Sequence, residues 1–362
     1  MKPPAHTLSV NLDRLPADAS RRQAALEDYF GDLLATASLA EDRWTIDLTW
    51  PDFEAYFVDP QVPSQLGWWR PGLHVGEMRR AVMWSGNGQL SLDDAWTLFA
   101  WSKWLKGRDG VIPHGGVTVI HIDDHRDMMT PRIAWDGTAW NDLLTGQEFT
   151  IFDPEKVRAA IMSGAIGIGS FFAPFLHQLQ NVVVRHLSQS AALSEDGREW
   201  LLVRGTTEDT IIRPGHLRPS LTLSPVGTDV SSQADVNVGG LYRFTRNYER
   251  CLGDLPPYPV LLHIDMDHFN NRYDRDSDWR QRPNKLDPNE PAVLAKIDEF
   301  FEALHEFRVA SLVENVSVAL SPGFFPAEYW PASVERVERH LETLGLSLGR
   351  GGDGRVLDSW LR

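Results

Sequence analysis

The sequence predicts an α/β protein with a mostly parallel sheet, helices on both faces and an N-terminal extension. Three observations carry that prediction. Short β-branched, apolar runs alternate along the chain with stretches of helical periodicity. Two of the runs, 117–122 and 259–264, are interrupted by a single histidine each, the pattern of strands buried on both faces. Each runs directly into a cluster of Asp and His, which suits the carboxyl ends of parallel strands.

Residues 1–65 read as the extension, packed on a core domain of residues 66–362. Ser91-Leu92-Asp93-Asp94 has capping-box spacing with an acid at the fourth position. Trp96, Leu98, Phe99, Trp101, Trp104 and Leu105 follow at near-helical spacing, predicting a helix over 92–107. A loop with Gly110, Pro113, Gly115 and Gly116 leads into Val117-Thr118-Val119-Ile120-His121-Ile122, a buried strand. Residues 182–187 and 200–204 are further strand candidates. Residues 205–245, rich in Gly, Pro, Ser and Thr, are expected to form loops with short strands. After the 259–264 strand, Asp287-Pro288-Asn289-Glu290 opens a helix with Val293, Ile297, Phe300, Phe301 and Leu304 in one stripe. Residues 316–320 form a strand ended by Ser321-Pro322-Gly323, and a last helix spans 331–344.

At 362 residues the chain can bury one large core or two medium ones. The net charge of −15, with acids spread rather than run together, argues against a nucleic-acid partner and favours steering of a cation. No run of eighteen apolar residues proposes a membrane span, and the N-terminus lacks a secretory apolar region. Cys251 is the only cysteine, so an intramolecular disulfide and thiolate metal clusters are excluded and a cytosolic setting is expected. Of the fourteen tryptophans, several pair at close spacing: Trp68 and Trp69, Trp101 and Trp104, Trp135 and Trp140. These are read first as core and cleft packing. A wall for an extended ligand is the alternative.

The chemistry sits at the two strand ends. One strand continues into Asp123-Asp124-His125-Arg126-Asp127, and the other into Asp265-Met266-Asp267-His268. Asp123, His125 and Asp127 occupy alternate positions, as do Asp265 and Asp267, so each set can share a face. Four carboxylates and one imidazole suit a divalent ion such as Mn²⁺ better than a sulfur-loving one. Carboxylates converging without positive charge repel one another, and bound dications relieve that. A pair of ions about 3.5–4 Å apart, bridged by a carboxylate, activates water near neutral pH. Taken singly, either motif is equally readable as turn-forming Asp and His.

The D-x-H-x-D and D-x-D pair after two strands resembles the arginase and ureohydrolase superfamily. That resemblance implies a three-layer α/β/α fold with a parallel sheet, two Mn²⁺ ions, and a bridging hydroxide attacking a guanidinium carbon. It implies Asp123 and Asp265 as bridging ligands, His125 and Asp267 on one ion, and Asp127 on the other. The segment from His263 to Asp274, continuing to Asp276-Ser277-Asp278-Trp279, is most similar to the arginase-like branch that includes peptide arginases, as is Ser321-Pro322-Gly323-Phe324. Those enzymes convert arginine side chains in ribosomal precursor peptides to ornithine, releasing urea. The resemblance covers roughly residues 70–330.

Two departures from the family pattern leave choices open. The sixth ligand, usually an upstream histidine, is expected from His74 or Glu77, because His114 lies at the wrong end of its strand. No acid stands at the end of the late strand to grip a guanidinium, so Glu328 is the expected substitute. Both have plainer readings, a surface pair beside a turn and a helix-start acid. His186, at a strand end, is expected to pass a proton to the leaving amine, and Asp127 to take the proton of the attacking water. His121 and His263 read as core histidines, and Asp124 and Arg126 as supports for the ligands. The expected partner is an arginine-containing precursor peptide. A free guanidino or amidine compound, an acyl-lysine amide, or a relative that only binds stays open.

Overall fold

The computed structural model describes residues 5–51, 58–190, 196–227, 237–348 and 355–356. Its main sheet is built outward from strands too apolar to tolerate water on either side. Six consecutive strands are parallel, in the spatial order Gly88–Ser91, Val313–Ala319, Val260–Asp265, Val117–Ile122, Val182–Leu187, Asn237–Thr245. Alternate residues of the inner strands enter two different cores. Val117, Val119, Val182, Val184 and Leu261 pack with helices Trp96–Lys106, Pro154–Ser163 and Phe172–Gln178. Ile120, Ile122, Leu262, Ile264, Val316 and Val318 pack with helices Val62–Trp69, Glu290–Glu306 and Trp330–Thr343. The protein is therefore α/β, with apolar clusters on both faces of the sheet.

The sheet is mixed rather than mostly parallel throughout. Antiparallel strands extend it on both sides, to thirteen strands among the described residues. The largest correction lies in residues 205–245. In place of loops with short strands, Arg198–Glu208, Leu217–Pro225 and Asn237–Thr245 are long paired strands. Many residues of the first two are half-exposed or exposed, so backbone pairing rather than an apolar run defines these strands. Gly240 reads as a loop signal, but a Cβ there would sit 1.8 Å from the Val182 carbonyl oxygen. Its bareness lets two strands approach.

The helix expected over 92–107 begins later, at Trp96. Asp93 turns the chain first, its Oδ1 accepting the Ala95 N–H at 3.0 Å, and Asp94 is drawn elsewhere. The late helices fall close to their expected places, at Glu290–Glu306 with Asn289 as N-cap and at Trp330–Thr343.

Near the N-terminus, strands His6–Asn11, Arg43–Thr49 and Leu34–Ala40 form a separate antiparallel sheet with helix Ala19–Phe30. Its cluster of Val10, Leu26, Phe30, Ile46 and Leu48 also takes in Leu144 and Ile211. Buried polar contacts join the two parts. The Tyr29 hydroxyl donates to Asp209, and Arg132 donates to the carbonyls of Tyr29 (3.0 Å) and Gly164 (2.7 Å). Cys251 is fully buried, which pushes its thiol pKa up to about 12. Among the described residues, no helix is long and apolar enough to cross a membrane.

Candidate metal centre

The two motif strands are immediate parallel neighbours, with His121 opposite His263 in the register. Their carboxyl ends therefore release Asp123 and Asp265 side by side. Both motifs then make the same local turn. Asp123 Oδ1 accepts the His125 N–H at 2.6 Å, and Asp265 Oδ1 accepts the Asp267 N–H at 3.1 Å. An Asp that bonds the backbone two residues on is a natural turn former, so one residue type shapes the loop and supplies a carboxylate.

The loops interlock. Asp267 accepts the Asp124 N–H at 3.1 Å with one oxygen, and its other oxygen lies 2.8 Å from His125 Nδ1. Donor atoms of Asp123, His125 and Asp267 lie within 4.8 Å of one another, as do those of His121, Asp123, Asp127 and His263. Asp127 adopts a left-handed φ of 52°, an uncommon conformation for a residue with a Cβ and one that clusters at functional sites. Ser321, with φ 42°, donates its hydroxyl to Asp265 Oδ2 at 2.5 Å.

Asp123, Asp127, Asp265 and Asp267 are at most 7% exposed. Burial raises the pKa of Asp123, Asp127 and Asp265 well above the ordinary carboxylate value, and neighbouring carboxylates raise it further. Burial opposes charge on His125, but Asp267, Asp123 and Asp274 together hold its pKa above the ordinary value. Asp123 Oδ2 and Asp127 Oδ2 are buried with no hydrogen-bond partner. Leaving such oxygens unmatched costs several kcal/mol unless a cation or proton meets them. An oxygen-rich set with one imidazole and orphaned carboxylate oxygens fits hard divalent ions.

Beneath the carboxylates lies a chain of buried histidines. His121 Nε2 is 3.1 Å from the His125 carbonyl, which makes Nε2 the donor and leaves Nδ1 to accept from His263 Nδ1 at 2.8 Å. Burial, first of all, lowers the pKa of His121, and of His263 to about 3. Phe171 and Phe172 pack edge-on against His121, and Phe171 against His263. These are core histidines, as the sequence suggests, and they floor the centre.

Three expected roles do not match the placements. His74 is exposed and forms a capping box with Glu77, whose carboxylate accepts the His74 N–H at 3.1 Å, and neither belongs to the converging donor groups. Glu328 gives its Oε1 to Arg272, which also holds Asp287 and the Tyr329 hydroxyl, while its Oε2 is buried with no partner, so this acid is already paired with an internal guanidinium through one oxygen. His186 is fully buried with both nitrogens engaged, Nε2 by the Asp123 carbonyl at 3.0 Å and Nδ1 by the Tyr242 hydroxyl at 2.5 Å. It braces the motif loop and has no nitrogen left for a shuttled proton. Asp124 is a support, as expected, accepting from Ser188, from the Ser190 N–H and from Asn271. Arg126 lies over the Phe244 ring.

The sequence reading missed three contributors. Asp274 Oδ1 lies 3.2 Å from His125 Nε2, orienting the imidazole, and Arg282 fixes Asp274 in turn at 2.8 Å. The only signal was its place in the unusual 263–279 segment. The Gly-rich loop 164–170 lies alongside, with Gly169 N–H donating to Asp94 and Ile168 N–H to Asp32, each at 3.0 Å. A Cβ on Gly167 would lie 1.6 Å from Asp32 Oδ2. Asp94 itself, read as a cap, is 3% exposed and close enough to Asp127 and Asp265 to interact electrostatically with both.

A pocket opens beside this acidic cluster. Trp50, Val75, Met78, Leu92 and Ile168 contribute apolar lining, and Asp32, Arg79, Asp93, Asp94 and Ser321 contribute polar lining. No protein-family model matches this chain, and no curated protein matches it. The functional reading therefore rests on the site.

Proposed function

We propose that the protein is a binuclear metal hydrolase of C–N bonds, with an arginase-like three-layer α/β/α core, that converts peptidyl-arginine to ornithine and urea. One observation carries the reading. Buried Asp123, Asp127 and Asp267 and the half-exposed His125 converge from two adjacent parallel strand ends, Asp265 leaves the second strand beside them, and Asp123 and Asp127 each keep an oxygen unmatched by any protein donor. The pocket supports it, since its apolar lining suits an aliphatic side chain and Asp94 and Ser321 line it too. A cytosolic setting fits the single buried cysteine.

Asp123 and Asp265 would be shared between two ions, with His125 and Asp267 on one and Asp127 on the other. Two such ions, Mn²⁺ by the donor set, would neutralise the carboxylates and lower the pKa of an attacking water. Asp127, left-handed and with one oxygen unbonded by protein groups, would take that water's proton. Water oxygen adds to the guanidinium carbon, the bond to the side-chain nitrogen breaks, and that nitrogen leaves as the ornithine amine with a proton. Asp274 holds the His125 ring, and Ser321 holds Asp265.

A second reading keeps the centre and changes the substrate to a free guanidino compound or an acyl-lysine amide. It is favoured by the pairing of Glu328 Oε1 with Arg272, which already sets that acid against an internal guanidinium. Mn²⁺-loaded protein incubated with arginine peptides, free arginine, agmatine and acetyl-lysine peptides separates the two. Urea from peptides, abolished by Asp127→Asn, supports peptide arginase chemistry. Acetate release, or urea from free compounds alone, transfers support to the second reading. Metal binding with no turnover of any of them leaves a binding protein.

A further inference from the structure

We propose that Asp94 is a further protein ligand of the metal centre, serving the ion held by Asp127 and Asp265. The inference rests on the binuclear reading and extends it to a third strand end.

Strand Gly88–Ser91 is parallel to Val313–Ala319, which is parallel to Val260–Asp265. In the register Ser91 lies opposite Ala319, and Ala319 opposite Asp265. The chain leaving Ser91 therefore emerges at the same edge and level as the motif acids, and three residues later it presents Asp94. That side chain is 3% exposed. Its Oδ2 accepts the Gly169 N–H at 3.0 Å, while its Oδ1 is buried with no protein partner. One oxygen is thus anchored to the backbone, and the other is left as a single donor, the arrangement of a monodentate carboxylate ligand.

The loop carrying Gly169 also faces Asp127. A Cβ on Gly169 would lie 3.5 Å from Asp127 Oδ1, and the Met129 N–H donates to the Gly169 carbonyl at 2.9 Å. Gly169 (φ 72°) and Asp127 (φ 52°) are both left-handed. The two segments fold against each other so that Asp94 and Asp127 both approach Gly169. Asp127 Oδ2 is likewise unpartnered. Buried carboxylates with an open oxygen each require either a proton or a cation, and the register sets Asp265 at the same strand-end level.

The test compares wild type, Asp94→Asn and His74→Ala as full chains. Asparagine keeps the acceptor for Gly169 and removes the anionic donor. After equilibrium dialysis against Mn²⁺, wild type and His74→Ala should each retain two ions per chain by elemental analysis. Asp94→Asn should retain one, with affinity for the second about 100-fold weaker or worse, since loss of a mere supporting partner already costs 10–100-fold. Thermal melting supplies the second readout. In chelator at pH 8, Asp94→Asn should melt at or above wild type because a buried charge is gone, and below it in Mn²⁺. A purely structural hydrogen bond predicts no such crossing. Two tightly held ions in Asp94→Asn overturn this proposal and leave the binuclear centre standing. No Mn²⁺ in wild type overturns the centre itself.

Discussion

His125 presents Nε2 to Asp274 Oδ1 at 3.2 Å while its Nδ1 faces Asp267, so the ring is clamped by carboxylates from both sides. In metalloenzymes the carboxylate behind a ligating histidine fixes its tautomer and aim. Asp274→Ala should therefore weaken Mn²⁺ binding by about 10–100-fold in a metal titration, with the fold retained by circular dichroism. Unchanged affinity would mean that His125 is not a ligand.

The buried acids set a pH signature. Asp94, Asp123, Asp127 and Asp265 have pKa values raised above the ordinary value in the folded protein, so without metal the folded state binds more protons than the unfolded one. Stability then falls as pH rises from the ordinary carboxylate range toward those raised values. Below the ordinary histidine value the buried neutral His121, His186 and His263 act in the opposite sense, since their lowered pKa values penalise protonation. The clean window is therefore above about pH 6.5. In it, the melting temperature of chelator-treated protein should fall with rising pH, and the gain on adding Mn²⁺ should grow. A metal-induced gain that does not depend on pH would contradict this.

Phe172 supports the floor of the centre by packing against His121 (4.9 Å between centroids) and Trp101 (5.3 Å). Phe172→Ala should cost about 3–5 kcal/mol in urea unfolding, the usual range for emptying a buried aromatic site. A loss below about 1 kcal/mol would show that the floor closes over the gap.

Glu328 offers a discriminating negative result. Because its Oε1 pairs with Arg272, Glu328→Gln should leave kcat/KM on any accepted peptide within about threefold, with about 1 kcal/mol lost in stability. A drop of 100-fold in kcat/KM with unchanged stability would restore it as the substrate grip.

Cys251 should resist alkylation in the native protein, because burial raises its pKa to about 12 and only the thiolate reacts. One equivalent of thiol should become reactive on unfolding, followed with an aromatic disulfide reagent.

The pairing of Asp123 and Asp265 was legible because each acid follows a strand whose buried, β-branched character is plain in the residues themselves. Asp94 was hidden by its own chemistry. An Asp at the start of an apolar helix is most simply a cap, and only its burial beside Gly169 and its unmatched oxygen set it apart. Residues 200–204 read as a strand and lie in one, but the long strands of 205–245 were illegible for a different reason. Wing strands with many exposed side chains carry polar residues, and glycine there marks close backbone approach rather than a turn. His186 misled because a histidine at a strand end is equally suited to catalysis and to bracing a loop. Its two hydrogen-bond partners decide, and they are distant in sequence.

The contact of Asp32 with the loop around Gly167 has a consequence for how this protein can change over time. A side chain at position 167 would occupy the space of the Asp32 carboxylate, which also receives Ile168 N–H and Arg79. The first fifty residues and the glycine-rich loop are therefore bound to drift together. A lineage that exchanged its N-terminal unit for another would have to rebuild this loop in the same step. Among relatives, an acid at the position of Asp32 should co-occur with glycine at the position of Gly167.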